Sequence, residues 1–519
     1  MNSVALIQQN DRRLATLSSA QYVARALAWL VAAVTMLNAL YFVLRVSSPV
    51  IQADAWYFLD VFLRKAINGG LSLGDFFIKR VGADHAQPLF KLEMLLEWRY
   101  FDLDFVVGAV IGVIAAAACA VIFYRISVAE RHQDRGDIAR CLAWASICAV
   151  LFSLNGTGAT WTWPLVALEN VTTLIILVFM LVVWHAHRSK RYLALAMATL
   201  LLGITCDDSA LVAVIAVVFA LLLAQLCDPA QRHPSTWKIL AVIGVCMVFV
   251  RIGYAYAPIF GGQRSTPISS NWGPLLDRFR ENGWWKWIVL PLVIPVSYQI
   301  PLRFTQAETW MVLQIIIATL LLVAHFLFWR KAFRSKYNLA IFVAISLMVV
   351  SYGWVAGIIL GRVATFGNDY VNQPRYILLY AGHLIALLLM WAEPPQATLQ
   401  PSKWRYVMGI WVPASACLIL LLVQIPLSID AWHKQPYQWA YDALMATQID
   451  QIVRDPSQVT DCLPEEHSVC NLAPGKRLQL IQLLSVNRLN IFSPQVQRRH
   501  HYLPPLSPIP AESMNTQAQ

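Results

Sequence analysis

The sequence predicts an all-α, polytopic membrane protein, a bundle of about eleven transmembrane helices. Three observations carry that expectation. Hydrophobic residues make up 58% of the 519 and charged residues only 13%, a balance no water-soluble domain needs. Several stretches stay apolar for about 18 to 22 residues, the length of helix that crosses a hydrocarbon core about 30 Å thick. The Lys and Arg residues also gather in the gaps between alternate runs, as the positive-inside rule asks of cytoplasmic loops.

Taken in order, the spans fall at roughly 24–46, 105–124, 139–155, 167–185, 192–206, 209–227, 237–257, 306–329, 338–360, 376–392 and 406–427. The first, from Ala24 to Val46, is longer than a signal h-region and ends in no A-x-A-like site, so it is expected to remain as a span. Arg12, Arg13 and Arg25 precede it. Arg125, Arg131, Arg135 and Arg140 follow the second span, Arg188, Lys190 and Arg191 the fourth, Arg330, Lys331, Arg334 and Lys336 the eighth, and Lys403 and Arg405 the tenth. These loops are expected inside, with the amino terminus cytoplasmic and the tail from about Pro426 periplasmic in a bacterial-type inner membrane. The formal charge of +11 is then explained by loops held against an anionic leaflet. No basic stripe with interleaved aromatics appears, so no nucleic-acid partner is expected.

Two stretches depart from a plain span. "GITCDDSALV" places Asp207 and Asp208 inside an apolar run; an aspartate at the bilayer centre costs about 2.5–3.5 kcal/mol, so a tight turn at the membrane surface is expected there. "WWKWIVLPLVIPVSYQIPLRF" carries Pro291, Pro295 and Pro301, which break a straight helix. It predicts a re-entrant or interfacial segment with Trp284, Trp285 and Trp287 at headgroup level. Seven of the nine cysteines lie in apolar runs and read as packing residues. Cys462 and Cys470 sit in a polar outer segment, as a disulfide or as two free thiols.

On this topology the chain divides into a bundle, 1–427, and a small outer tail, 428–519. Residues 47–104 form a large first outer loop. In "AWYFLDVFLRKAI", Tyr57, Phe58, Val61 and Phe62 share one helical face and Asp60 pairs with Arg64 at i,i+4. "INGGLSLGDF" breaks that helix. "QPLFKLEMLLEWRYF" predicts a second interfacial helix with Leu89, Leu92 and Leu96 on one side and Glu93 and Glu97 elsewhere. Asp54 enters the first helix and Asp84-His85 the second, while Asp60 and Asp75 read as solvated charges.

This order of features resembles the GT-C class of membrane glycosyltransferases. A long first outer loop, two juxtamembrane helices and an acidic residue just past the first span are similar to the aminoarabinose and mannose transferases that use polyprenyl-phosphate sugars. Asp54 stands where those enzymes carry an acidic pair, and "ADHAQPLF" where they carry an acidic-Lys-Pro-Pro step. Asp54 stands alone in "QADAWY", however, and His85 replaces the lysine. The likeness covers about one-tenth of the chain. It implies a GT-C-like bundle that moves a sugar from a polyprenyl-phosphate donor to a glycan, lipid or protein acceptor on the periplasmic face.

Such a reaction needs a carboxylate to take the proton of an attacking hydroxyl. It also needs positive charge for the departing phosphate. Asp54 is the expected base, or a helix cap. Asp84 and His85 are expected to hold a metal or to orient the acceptor, with Asp54 and Asp84 as metal ligands and with Mg²⁺, Mn²⁺ or no metal open. Arg362, Arg375 and Tyr376, in "GRVATFGNDYVNQPRYILLYAG", and Arg303, in "IPLRFTQAE", are expected to meet phosphate or to snorkel at span ends. Arg251, inside a span, is expected to face the bundle interior and pair with phosphate or an aspartate. Two other functions fit a many-span chain: a transporter or flippase of a lipid-linked solute, and an O-antigen-type polymerase or ligase. No P-loop, G-x-S-x-G, H-E-x-x-H or C-x-x-C motif appears to support ATP-driven transport, serine hydrolysis or zinc peptidase chemistry.

Overall fold

A computed structural model gives the architecture of residues 19–79, 85–129, 137–256, 271–298, 307–393, 403–454, 469 and 472–505. Among these, every regular element is a helix. The chain opens with α1 (Ser19–Val46). In the loop after it, α2 runs from Asp54–Phe58 through a π-helical turn at Leu59–Leu63 to Arg64–Ile67. A 3₁₀ turn at Leu73–Phe77 and α3 (Pro88–Tyr100) complete that loop. Next come α4 (Val106–Tyr124), α5 (Asp137–Leu151), the one-turn helices α6 (Ala159–Thr162) and α7 (Pro164–Ala167), and α8 (Glu169–Ser189). They are followed by α9 (Tyr192–Thr205), α10 (Asp207–Cys227), α11 (Ser235–Ala255), α12 (Trp272–Arg280) and α13 (Lys286–Val293). The last bundle helices are α14 (Ala307–Ala332), α15 (Leu339–Ile358), α16 (Ile377–Ala392) and α17 (Lys403–Arg454); α18 (Pro474–Val486) and α19 (Pro494–Arg499) form the tail.

Nine described helices, α1, α4, α8, α10, α11 and α14 to α17, are long and apolar enough to cross a membrane, and α5 and α9 are shorter apolar helices. This is a multi-pass helical membrane protein. Its centre is the pair α15 and α16, whose most apolar windows are 67% and 78% buried, against 22% for α14 and 17% for α17. The outer helices turn large apolar residues outward, among them Leu320 and Phe326 on α14 and Val245 and Phe249 on α11. That surface is stable only with hydrocarbon as its solvent. Inside, helices meet through small residues: Ala213, Ala216, Ala220 and Ala224 are buried along α10. A Cβ on Gly353 of α15 would run into Val212 of α10, so their close approach requires glycine there.

The proline-rich segment forms α13, eight residues with Pro291 inside, and eight residues reach only about 12 Å. This helix is by itself too short to span, and residues 299–303 of the segment lie outside the described residues. Arg303 lies outside the described residues. The expected boundary at 427/428 falls within α17, which runs unbroken for 52 residues past Pro413, Pro426 and Pro436, about 78 Å. Such a helix crosses a membrane and continues well beyond it. Cys462 and Cys470 lie outside the described residues; the other seven cysteines are free thiols, buried or half-buried.

Beyond the bundle, the far end of α17 and the tail close over the first loop in a second apolar core. Trp56, Phe58, Leu59 and Phe90 of the loop meet Ile449, Leu480, Ile481 and Leu484. Polar ties fix the register. Asn490 donates its side-chain amide to the carbonyls of Pro49 at 2.5 Å and Leu103 at 2.6 Å, and its backbone N–H to Asp102 at 2.6 Å. Asp104 pairs with Arg499 and, at 2.5 Å, with His500. Asp60 takes Arg64 at 3.0 Å, as its spacing predicted, and also Lys476 of the tail at 2.6 Å. Asp60 and Asp75 are therefore buried, 2% and 5% exposed, and the expectation of solvated charges is corrected: the tail and Lys65 supply partners that the local sequence could not show.

The second loop helix separates leucines from glutamates, as expected, and the leucine side is the outward one. Leu92, Leu96 and Tyr100 of α3 face outward, while Lys91, Glu93 and Glu97 point in. At a bilayer boundary the outside is partly apolar, so leucines gain by facing out. The carboxylate of Glu97 meets the start of α4, accepting the Gly108 N–H at 3.0 Å.

Candidate functional site

The 3₁₀ turn and α3 of the first loop are locked together by one amine. Lys91 is fully buried and donates to the carbonyls of Asp75 at 3.0 Å, Phe76 at 3.0 Å and Ile78 at 2.8 Å, with the rings of Phe58 and Phe62 each 5.7 Å from its Nζ. Burial pushes its pKa down to about 7, against the opposing pull of the Asp207 charge. The Asp75 carboxylate secures the other side of the turn. It accepts Lys65 at 2.5 Å and both the backbone N–H and the hydroxyl of Ser72 at 2.8 Å. Pro88 at the first turn of α3 follows Gln87 in the left-handed region (φ 48°).

His85 and Ala86 reach the junction of α9 and α10. The turn expected at "GITCDDSALV" is there: α9 stops at Thr205, α10 starts at Asp207, and Asp207 takes a left-handed conformation (φ 49°) to make the reversal. Asp207 Oδ2 accepts the backbone N–H of Ala86 at 2.7 Å across 121 residues. His85 Nδ1 lies 3.8 Å from Asp207 Oδ2 and 3.4 Å from Asp208 Oδ2. Arg251, near the end of α11, donates to Asp208 Oδ1 at 2.8 Å. Tyr254, one turn on, donates to the Ile204 carbonyl at 3.0 Å, and its ring packs edge-on against Phe77 of the first loop. Glu169, at the start of α8, is within electrostatic reach of His85.

The result is a polar knot at the end of the bundle that the first loop covers. Asp207 is 6% exposed, whereas the side chains of His85, Asp208 and Arg251 are 42%, 46% and 31% exposed. A buried carboxylate anchors the loop, and beside it lie a part-exposed imidazole, carboxylate and guanidinium. Such a set can take a proton, bind an anion through Arg251, or hold a cation through His85 and the two aspartates.

Arg251 thus meets an aspartate, as expected for a charge within a span, and His85 joins the same group. Asp54 is the first residue of α2, half-buried, and the capping position is Ala53. The metal ligands expected from sequence were Asp54 and Asp84. Asp84 lies outside the described residues, and among the described ones the group able to hold an ion is His85, Asp207 and Asp208. Arg362 lies in the π-helical turn Ile359–Val363. Arg375 hydrogen-bonds the Tyr370 hydroxyl, and its guanidinium sits 5.3 Å from the ring centres of both Tyr370 and Tyr376. That aromatic cradle holds an arginine at a helix end more firmly than snorkelling would. Sequence reasoning treated Asp207 and Asp208 only as a turn. The usable signal was an adjacent acid pair in an apolar run, with Arg251 in the following span.

Burial and the neighbouring Glu97 charge push Glu93 well above the usual carboxylate range, and burial pushes Glu97 up to about 7 despite its bond from Gly108. A Cβ on Gly108 would collide with Glu93, so glycine admits this acid pair beneath α4.

Comparison with known proteins finds no matching family model, no similar curated protein and no matching solved structure.

Proposed function

We propose that this protein is a membrane glycosyltransferase of GT-C type, taking its sugar from a polyprenyl-phosphate donor. The observation that carries the reading is the convergence of His85, Asp208 and Arg251 at one end of a lipid-facing bundle, beneath a first loop built on two short helices. A lipid-linked sugar presents its phosphate at that depth, where Arg251 can fork onto phosphate oxygens. The acceptor hydroxyl attacks the anomeric carbon, the bond from that carbon to the phosphate oxygen breaks, and the hydroxyl proton passes to a carboxylate. Asp54, the first residue of α2, is the candidate base. In this reading α5 and α9 also cross, giving eleven spans in an inner membrane, with the amino terminus cytoplasmic and the covered end periplasmic.

The test is mass spectrometry of lipid-linked sugars and envelope glycoconjugates from cells producing the wild type, Asp54→Ala or Asp208→Asn. The wild type is expected to draw down a polyprenyl-phosphate sugar and add one sugar to an acceptor, and at least one variant to do neither while folding normally. Identical profiles in all three overturn the reading.

A transporter of a lipid-linked solute is the second reading. It is favoured by a buried histidine pair within the bundle, His325 Nε2 to His383 Nδ1 at 3.1 Å, bonded on to Tyr352 at 2.9 Å. It predicts donor moved across the membrane and left intact.

A further inference from the structure

We propose that His85, Asp207 and Asp208 bind a divalent transition-metal ion of the zinc or manganese class, through one imidazole nitrogen and two carboxylate oxygens. The inference deepens the glycosyltransferase reading and rests on it for the ion's role, whereas ion binding itself stands on geometry. One ligand atom from each residue falls within a sphere of mutual distances under 4.8 Å. His85 Nδ1 is 3.4 Å from Asp208 Oδ2 and 3.8 Å from Asp207 Oδ2. Around a tetrahedral ion with bonds of about 2.1 Å, neighbouring ligand atoms lie about 3.4 Å apart. The nearest oxygens of the two aspartates therefore stand at about the spacing of ligands to one ion.

An independent observation points the same way. Asp207 has a side chain only 7% exposed, and its Oδ1 is buried with no hydrogen-bond partner, although Oδ2 of the same carboxylate is satisfied by Ala86. A bare carboxylate oxygen at that depth costs free energy unless a cation meets it. Asp208 is arranged in the complementary way: Arg251 occupies Oδ1 and Oδ2 is turned toward His85. The Arg251 bond orients the Asp208 carboxylate as outer bonds orient metal ligands, while Ala86 bonds the same Asp207 Oδ2 that lies nearest His85, an oxygen with a second lone pair to offer an ion.

Charge argues for an ion as well. Two aspartates face one guanidinium, and Glu169 adds a further carboxylate near His85. Lys91 is within electrostatic reach of Asp207, but its amine is spent on three carbonyls. A divalent ion here can share a lipid phosphate with Arg251. An imidazole ligand beside carboxylates suits zinc or manganese, whereas magnesium and calcium take oxygen ligands.

The test uses the full-length protein in nanodiscs, free of affinity tag and stripped with chelator, titrated with ZnCl₂ and with MnCl₂. Metal content is read by elemental mass spectrometry and Mn²⁺ by paramagnetic resonance. The wild type is expected to hold about one ion per chain, and His85→Ala and Asp207→Asn each to weaken binding about tenfold or more. Glu281→Gln, at an exposed site, should bind as the wild type does. Should Asp207→Asn fail to fold, the half-exposed Asp208→Asn replaces it. A folded wild type that holds no ion overturns the inference, as does His85→Ala with unchanged affinity. Bound ion without sugar transfer removes the enzyme reading and leaves the site; transfer by the ion-free protein removes the ion's role in transfer and leaves the enzyme.

Discussion

Arg251 and Asp208 meet at 2.8 Å, Nη2 to Oδ1, and this contact joins α11 to α10 at the end of the bundle that the first loop covers. The two side chains are 31% and 46% exposed, so the pair contributes at most about 1 kcal/mol to stability. Arg251→Ala should therefore melt within a few degrees of the wild type. Sugar transfer by the same variant should fall by about a hundredfold or more, the scale of losing a group that stabilises transition-state charge. Thermal unfolding and turnover measured on one preparation check both halves.

Lys91 has a different kind of importance. Its amine is the hydrogen-bond partner of three carbonyls in the 3₁₀ turn and the strand of chain that follows. Lys91→Met keeps the volume and removes the donor, leaving buried carbonyls unmatched at about 1–3 kcal/mol each. The expected result is a first loop that loosens locally, seen as new protease cleavage between residues 70 and 85 and faster hydrogen exchange there, with the bundle helices unchanged.

Glu93 and Glu97 make loop stability depend on pH. Burial raises both pKa values, Glu97 from 4.5 to about 7, so the folded state holds protons that the unfolded state has released. Their stabilisation is present below about pH 4.5 and is lost as pH rises through about 7. Lys91, depressed from 10.5 to about 7, acts oppositely and mainly above that window. Melting temperature should therefore fall between pH 5 and pH 7, and Glu93→Gln/Glu97→Gln should flatten that slope. A double variant with the wild-type slope would remove this pair as the cause.

The tail is tied to both ends of the first loop by Asn490. Asn490→Ala removes the bonds to Pro49 and Leu103, at 2.5 and 2.6 Å, and strands two carbonyls, for a cost of about 2–4 kcal/mol. Because the tail and loop share one core, hydrogen exchange should accelerate together at 47–52, 100–105 and 480–492. Exchange confined to the tail would show that the core is not cooperative.

Orientation has its own test. Single cysteines at Arg488, in the tail, and at Arg334, after α14, should react with an impermeant maleimide from opposite sides of the membrane, Arg488→Cys from the periplasm. Labelling of both from one side would reverse the proposed topology.

Much of the bundle was legible in the sequence because crossing a membrane is a local property: about twenty apolar residues in a row suffice, whatever they later touch. The break at Asp207 was equally legible, since carboxylates are costly in hydrocarbon and the chain must turn there. The facing of α3 was not. Periodicity identified a helix, but which side counts as outside depends on the solvent, and here the outer solvent is partly lipid. Leu92 and Leu96 consequently turn outward and Glu93 and Glu97 inward.

The sequence by itself determined that this protein is a membrane bundle with a structured first loop, a reversal at an acid pair and a charge within the seventh apolar run. Only tertiary structure decided that these belong together. His85 meets Asp208 and Ala86 meets Asp207 because α3, α10 and α11 pack at one end of the bundle, and contacts across 121 residues leave no periodicity for a linear reading to find. Segment identity follows from the free energy of transferring each stretch into lipid, residue by residue. The site follows from packing, where each distance depends on every helix at once.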